Sequence, residues 1–197
     1  MSELLEAASL GVVAFAATNV DDLFVLTAFF AEPSARARLV VLGQYLGIAV
    51  LTMASMACAL AVLAIPTAWV GLLGLLPVAI GVKKLYEARR RGEAPAPPLR
   101  AAGTAALSVA AVTVANGGDN LVIYISLFAS QSRSSWLLLA AVFAVLTGLW
   151  CVVGLSLVRH RTLGPLLRRR GLRVLPWLLI GLGVYIIVRS GVWTLWA

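Results

Sequence analysis

Six apolar stretches, each close to the thickness of a lipid bilayer, leave this chain little choice of architecture. They fall at about residues 5–30, 39–64, 67–86, 104–129, 136–158 and 174–196. An α-helix rises about 1.5 Å per residue, so roughly 20 residues cross a hydrocarbon core about 30 Å thick. With 61% of the residues hydrophobic and only 12% charged, too little polar surface exists to solvate a water-soluble domain of 197 residues. The expected fold is an all-α integral membrane protein with six transmembrane helices and almost no chain left over for a soluble domain.

Charge placement orients those helices. Lys and Arg number two in the first loop (Arg36, Arg38), none in the second and six in the third (Lys83, Lys84, Arg89, Arg90, Arg91, Arg100). One follows in the fourth (Arg133) and six in the fifth (Arg159, Arg161, Arg168, Arg169, Arg170, Arg173). Odd loops therefore hold 14 of the 16, the others being Arg133 and Arg189, and the positive-inside rule puts odd loops in the cytoplasm and both termini outside. The same distribution argues against nucleic acid as the reason for the net charge of +8. Trp69, Trp136, Trp193 and Trp196 fall at the outer helix ends, as an interfacial aromatic belt would. The opening MSELLE lacks the basic region of a signal peptide, so the first helix is expected to be retained. Cys58 and Cys151 form no paired framework and are expected to be buried free thiols.

The segment RRRGEAPAPPLR, residues 89–100, is the one obvious linker, because Pro95, Pro97 and Pro98 forbid regular helix. It divides the chain into a first three-helix repeat (1–91), a cytoplasmic Pro-rich linker (92–103) and a second three-helix repeat (104–197). Three is odd, so the second half enters the membrane from the opposite side. The expected architecture is two inverted repeats, with a substrate site near the midplane.

The repeats are joined by acids where lipid should exclude them. ATNVDDLFVLTAFFA at 17–31 reappears 98 positions later as ANGGDNLVIYISLFA, which aligns Asp21 with Asp119. An Asp at the centre of a membrane helix costs about 2.5 to 3.5 kcal/mol, so Asp21, Asp22 and Asp119 together cost roughly 8 to 10 kcal/mol unless they face a cavity or a partner. Thr18, Asp21 and Asp22 stand at i, i+3 and i+4, and so do Asn116, Asp119 and Asn120, so each helix shows one polar face in the same register. Both faces lie roughly 14 to 15 Å deep, approached from opposite sides.

Carboxylates and amide carbonyls are oxygen ligands. Asp21, Asp22, Asp119, Asn19, Asn116 and Asn120 can replace much of the hydration shell of a divalent cation, and carboxylates crowded away from water can hold protons instead when the cation leaves. One site thereby supports metal/proton exchange. Thr18 and Gln44 are further candidates, Gln44 lying about six residues from the inner end of the second helix. Gly117 and Gly118 permit local unwinding, or close approach of another helix, just before Asp119. Pro77 is expected to kink the third helix and is a hinge candidate. Met53 and Met56 share a helix face and are expected to fill core gaps, and His160 is expected to lie solvated in the fifth loop.

TNVDDLFVLTAFFA, GQYLG at 43–47, GLLGLLPVAIGVK at 71–83, VTVANGGDN at 112–120 and IGLGVYIIV at 180–188 together resemble the bacterial cadmium resistance transporter family, within the lysine-exporter superfamily. The resemblance implies a multi-pass protein of the bacterial inner membrane that exports a toxic divalent metal, cadmium above all, with protons as the coupling ion. Asp21 and Asp119 match the family's acidic positions, and no cofactor is implied. Some members carry Cys in the stretch that here reads Ala115, Asn116, Gly117 and Gly118. Without that thiolate the ligand set is harder and also suits manganese or calcium. Other functions compete, a purely structural membrane protein among them. Paired acids can bind the ammonium group of a small organic cation or amino acid, which distant members of the superfamily export. Two membrane acids also serve intramembrane aspartyl proteases, but Asn116-Gly117-Gly118-Asp119 lacks the first glycine of their signature.

Overall fold

In the computed structural model, which describes residues 2–32, 35–62, 71–90, 106–159, 177 and 179–188, every regular element is helical. We number them α1 (Ser2–Ala31), α2 (Ala37–Val62), α3 (Leu75–Arg90, preceded by a 3-10 turn at Gly71–Gly74), α4 (Ala106–Asn116), α5 (Gly118–Ser130), α6 (Arg133–Arg159) and α7 (Leu179–Val188). Among the described residues α1, α2 and α6 are long and apolar enough to cross a membrane, and the bent pair α4–α5 makes a fourth span if taken as one. The fold is thus all-α and membrane-type. The 92–103 linker, His160, Trp69, Trp193 and Trp196 lie outside the described residues.

No proline interrupts α1, α2 or α6, so their apolar sequences continue for 26 to 30 residues. They pack around an aromatic centre. Phe143 of α6 stacks on Tyr124 of α5 with ring centroids 4.3 Å apart, and Phe15 of α1 lies between Phe143 (5.7 Å) and Trp150 (5.5 Å). Trp136 turns inward too, packing on Phe128 and donating its indole N–H to the Phe128 carbonyl at 2.9 Å, so it serves the core and not the lipid belt expected of it.

Contacts along the helices fix their directions. Gly11, Asn19 and Leu26 of α1 meet Leu139, Trp150 and Gly154 of α6 in ascending order, so these helices run parallel. Gly43, Gly47 and Leu51 of α2 likewise meet Val109, Thr113 and Gly117, so α2 runs parallel to α4. Against α4–α5, α1 is antiparallel: Asn19 reaches Tyr124 and Asn120, whereas Asp22 reaches Asn116. α2 and α4 therefore begin at the same end of the bundle.

Three expectations change. The stretch 104–129 is not one straight helix but two, bent by 69° at Gly117. The Gly117 N–H bonds the Val114 carbonyl at 3.1 Å, a tightened turn, and a Cβ at this buried position would collide with the Leu51 side chain. Pro77 does not kink a helix in mid-course. It is the third residue of α3, where the missing N–H has no intrahelical partner to lose. The burial expected of Cys58 and Met53 is not seen: Cys58 is exposed and Met53 is 60% exposed, whereas Cys151 is buried.

Candidate functional site

The α2–α4 contact is what assembles the polar residues. Gly43 and Gly47, one turn apart in GQYLG, form a flat strip on α2, and a Cβ on Gly47 would come within 2.6 Å of the Thr113 Cβ. Small residues four apart let helix backbones approach closely in lipid. Gln44 lies within that strip, so the same approach presses its side chain, fully sequestered, against α4 and α1. Its Oε1 accepts a 2.7 Å hydrogen bond from the Thr113 hydroxyl, and its Nε2 donates to Asp22 Oδ2 at 2.9 Å.

Asp22 is the deepest acid, only 2% exposed. Its second oxygen, Oδ1, accepts from Asn116 Nδ2 at 3.1 Å, at the last residue of α4. Both carboxylate oxygens are thus held by neutral amides from two different helices. One turn away on α1, buried Asn19 accepts from Asn120 Nδ2 at 3.1 Å and donates to the Tyr124 hydroxyl at 2.8 Å. The Thr18 hydroxyl bonds back to the Ala14 carbonyl at 2.9 Å and accepts from Asn19 Nδ2 at 3.0 Å. The Asn19 carbonyl accepts the Trp150 indole N–H at 2.7 Å, which ties α6 to the same level.

The structure therefore joins Thr18, Asn19, Asp22, Gln44, Asn116 and Asn120 in two adjoining hydrogen-bonded groups across α1, α2, α4 and α5. Asp21 sits at the margin, partly buried, its Oδ1 accepting from the Asp22 backbone N–H at 3.2 Å. Asp119 is partly buried in the first turn of α5, and Gly118 before it is exposed. Asp21 is next to Asp22 in α1, and Asp119 lies three residues beyond the Asn116 that Asp22 bonds, across the helix break. Sequence reading missed Thr113 and Tyr124. Thr113 stands three residues before Asn116, and Tyr124 four after Asn120, so helical spacing was the available signal.

The donors that converge here are oxygens and amides. Among the described residues no three His, Cys, Asp or Glu side chains cluster as a preformed metal cage. Cys151, on α6, packs with Leu26, Val40 and Val109 in an apolar cluster.

The sequence model of one family, Cad, described as cadmium resistance transporter, matches residues 15–197. The chain belongs to that cadmium resistance transporter family. Neither a curated protein nor a solved structure matches it. All of the polar residues just described fall within the matched span, as does every helix except the first four turns of α1. A cadmium resistance transporter has to carry a cation across lipid. Among the described residues, the Asp22 carboxylate and the side-chain amides around it offer oxygen donors of the kind that bind cations, with Asn116 at the exposed edge of the group.

Proposed function

We propose that the protein is a secondary transporter that exports divalent heavy-metal cations, cadmium foremost, from the cytoplasm by metal/proton exchange at the Asp22 site. The observation that carries this reading is a 2%-exposed carboxylate held by two neutral amides at the meeting of three helices. Burying a carboxylate in a membrane bundle costs more than packing an apolar side chain among apolar neighbours, so the amides gathered round Asp22 point to a use for its charge.

The amides make an exchange site of it. Gln44 and Asn116 now turn N–H groups toward Asp22, an arrangement complementary to the carboxylate itself. Half a turn of either side-chain amide presents its carbonyl oxygen instead, so the same residues can join Asp22 as ligands of a cation. Asp21 and Asp119 at the margins add the negative charge that a divalent ion needs. On release of the metal, an acid that takes up a proton donates its O–H to an amide carbonyl, and the ionised Asp22 is met by both amide N–H groups as in this structure.

The transport framework we infer is six spans in two inverted repeats, in the bacterial inner membrane, with both termini outside. Internal pairing supports it. Gly11 of α1 faces Leu139 and Val142 of α6, and 98 positions later Val109 of α4 faces Gly43 of α2, which precedes 139 and 142 by 96 and 99. Asn19 faces Trp150, and 98 positions later Gly117 faces Leu51, which precedes 150 by 99. A twofold axis lying in the membrane plane generates such matched pairs. It also relates the Asp22–Asn116 bond to a contact of Asn120 with residue 18, next to the Asn19 it bonds.

The test is flux into proteoliposomes of cadmium, zinc, manganese and calcium across an imposed pH gradient, repeated for Asp22→Asn, Asp21→Asn and Asp119→Asn. Gradient-dependent cadmium movement that Asp22→Asn abolishes is expected. Movement of basic amino acids with no metal flux would overturn the assignment in favour of organic-cation export.

A further inference from the structure

A second polar feature stands apart from the Asp22 site. Between α2 and α6 opens a cleft of ≈ 210 Å³, lined on one side by Tyr45, Thr52, Met53 and Met56 and on the other by Phe143 and Thr147. Thr52 is only 7% exposed, yet its hydroxyl has no hydrogen-bond partner. That is unlike its neighbours: the hydroxyls of Thr18, Ser55, Ser126 and Thr147 each bond the carbonyl four residues back, the usual refuge of a helical Ser or Thr. Thr52 leaves that refuge and stands in the cleft wall beside two thioethers. Thr52 and Met56 are one turn apart, and Met53 lies between them.

We propose that this cleft is a second cation site, selective for a soft monovalent ion such as Ag⁺ or Cu⁺, with Met53 and Met56 sulfur and the Thr52 hydroxyl oxygen as ligands. Thioethers are neutral, soft donors that select Cu⁺-like ions over hard cations. Charge decides the valence. No acid lines the cleft, so a divalent ion there would keep both charges unneutralised in a low-dielectric wall, whereas a monovalent soft ion sheds its water more readily. Thr52, Met53 and Met56 line the cleft from one stretch of α2, Met53 60% exposed and Met56 partly buried, so all three donors are offered by a single helix. Phe143 forms one wall of the cleft and stacks on Tyr124, whose hydroxyl accepts from Asn19, so an aromatic pair separates this soft site from the oxygen site. The thioether-lined cleft of ≈ 210 Å³ and the oxygen-lined Asp22 network share no residue and are chemically distinct.

The experiment measures equilibrium Ag⁺ binding to the purified full-length protein in nanodiscs, with Cys58→Ser and Cys151→Ala introduced to remove the thiols. About one Ag⁺ per chain should be retained, weakened about tenfold or more by Met53→Leu with Met56→Leu, and less by Thr52→Val. Leu is close to Met in volume, and unchanged circular dichroism and elution volume establish that the double variant is folded. Asp22→Asn should leave Ag⁺ binding intact. Absence of saturable binding, indifference to the methionine changes, or loss with Asp22→Asn would each overturn the proposal. Because Ag⁺ binding is read separately from divalent flux, failure of the cadmium-export reading and failure of this one are distinguishable.

Discussion

At the scale of single residues, the site is a matter of which oxygens are held and by what. Asp22→Asn keeps the shape of the side chain and removes its charge, so cadmium flux should fall by more than about 100-fold while the protein still folds, as monitored by thermal unfolding in detergent. Thr113→Val acts differently. It leaves Gln44 Oε1 buried without its 2.7 Å donor, which should destabilise the protein by roughly 1 to 3 kcal/mol and loosen Gln44 from Asp22. Here the sequence was only partly legible. The cost of acids in lipid pointed to Asp21, Asp22 and Asp119, but it could not rank them, because depth along a helix says nothing about which side faces a neighbour. Packing ranks them: Asp22 is enclosed, whereas Asp21 and Asp119 are partly covered.

At the scale of elements, glycine placement decides how closely α2, α4 and α5 approach. Gly117 and Gly118 look equivalent in the sequence. They are not equivalent in the fold, since a Cβ at Gly117 would strike Leu51 and come within 3.0 Å of the Thr113 carbonyl, whereas one at Gly118 meets nothing within 4 Å. Gly117→Ala should therefore lower both stability and flux, and Gly118→Ala should be tolerated. Leu51→Ala in the Gly117→Ala background should recover part of the stability loss, a coupling that a double-mutant cycle reads directly. Gly47→Ala is expected to separate α2 from α4 and release Gln44. Cysteine cross-linking between the two helices would show the separation as a drop in yield. The Gly117–Gly118 pair signalled local unwinding, but which glycine carries the break, and the role of the Gly43–Gly47 strip, depend on what lies across the interface: Leu51 in one case, Val109 and Thr113 in the other.

At the scale of the whole molecule, the parallel course of α1 with α6 puts the end of α1 and the start of α6 at opposite ends of the bundle. In a cell, a cysteine at Ala35 should react with an impermeant maleimide only from the cytoplasmic side, and one at Ser132 only from outside, in a Cys58→Ser background. Labelling of both from one side would rule out the inverted-repeat topology. The same labelling tests the orientation expected from the arginine distribution, which rests on anionic cytoplasmic lipid and the insertion machinery acting on loops before any packing exists.

What the sequence indicated by itself was whatever depends on one segment at a time: apolar length marks the membrane helices, basic loops give an expected direction, and the cost of burying charge singles out the acids as site candidates. Only the tertiary structure decided which carboxylate is central, that Gln44 and Thr113 anchor it, that α4–α5 bends at Gly117, and that Thr52 is left unpaired beside two thioethers. Those are relations between residues 22 to 105 positions apart or questions of which helical face is covered. Periodicity within one helix carries no information about the neighbour that will cover it.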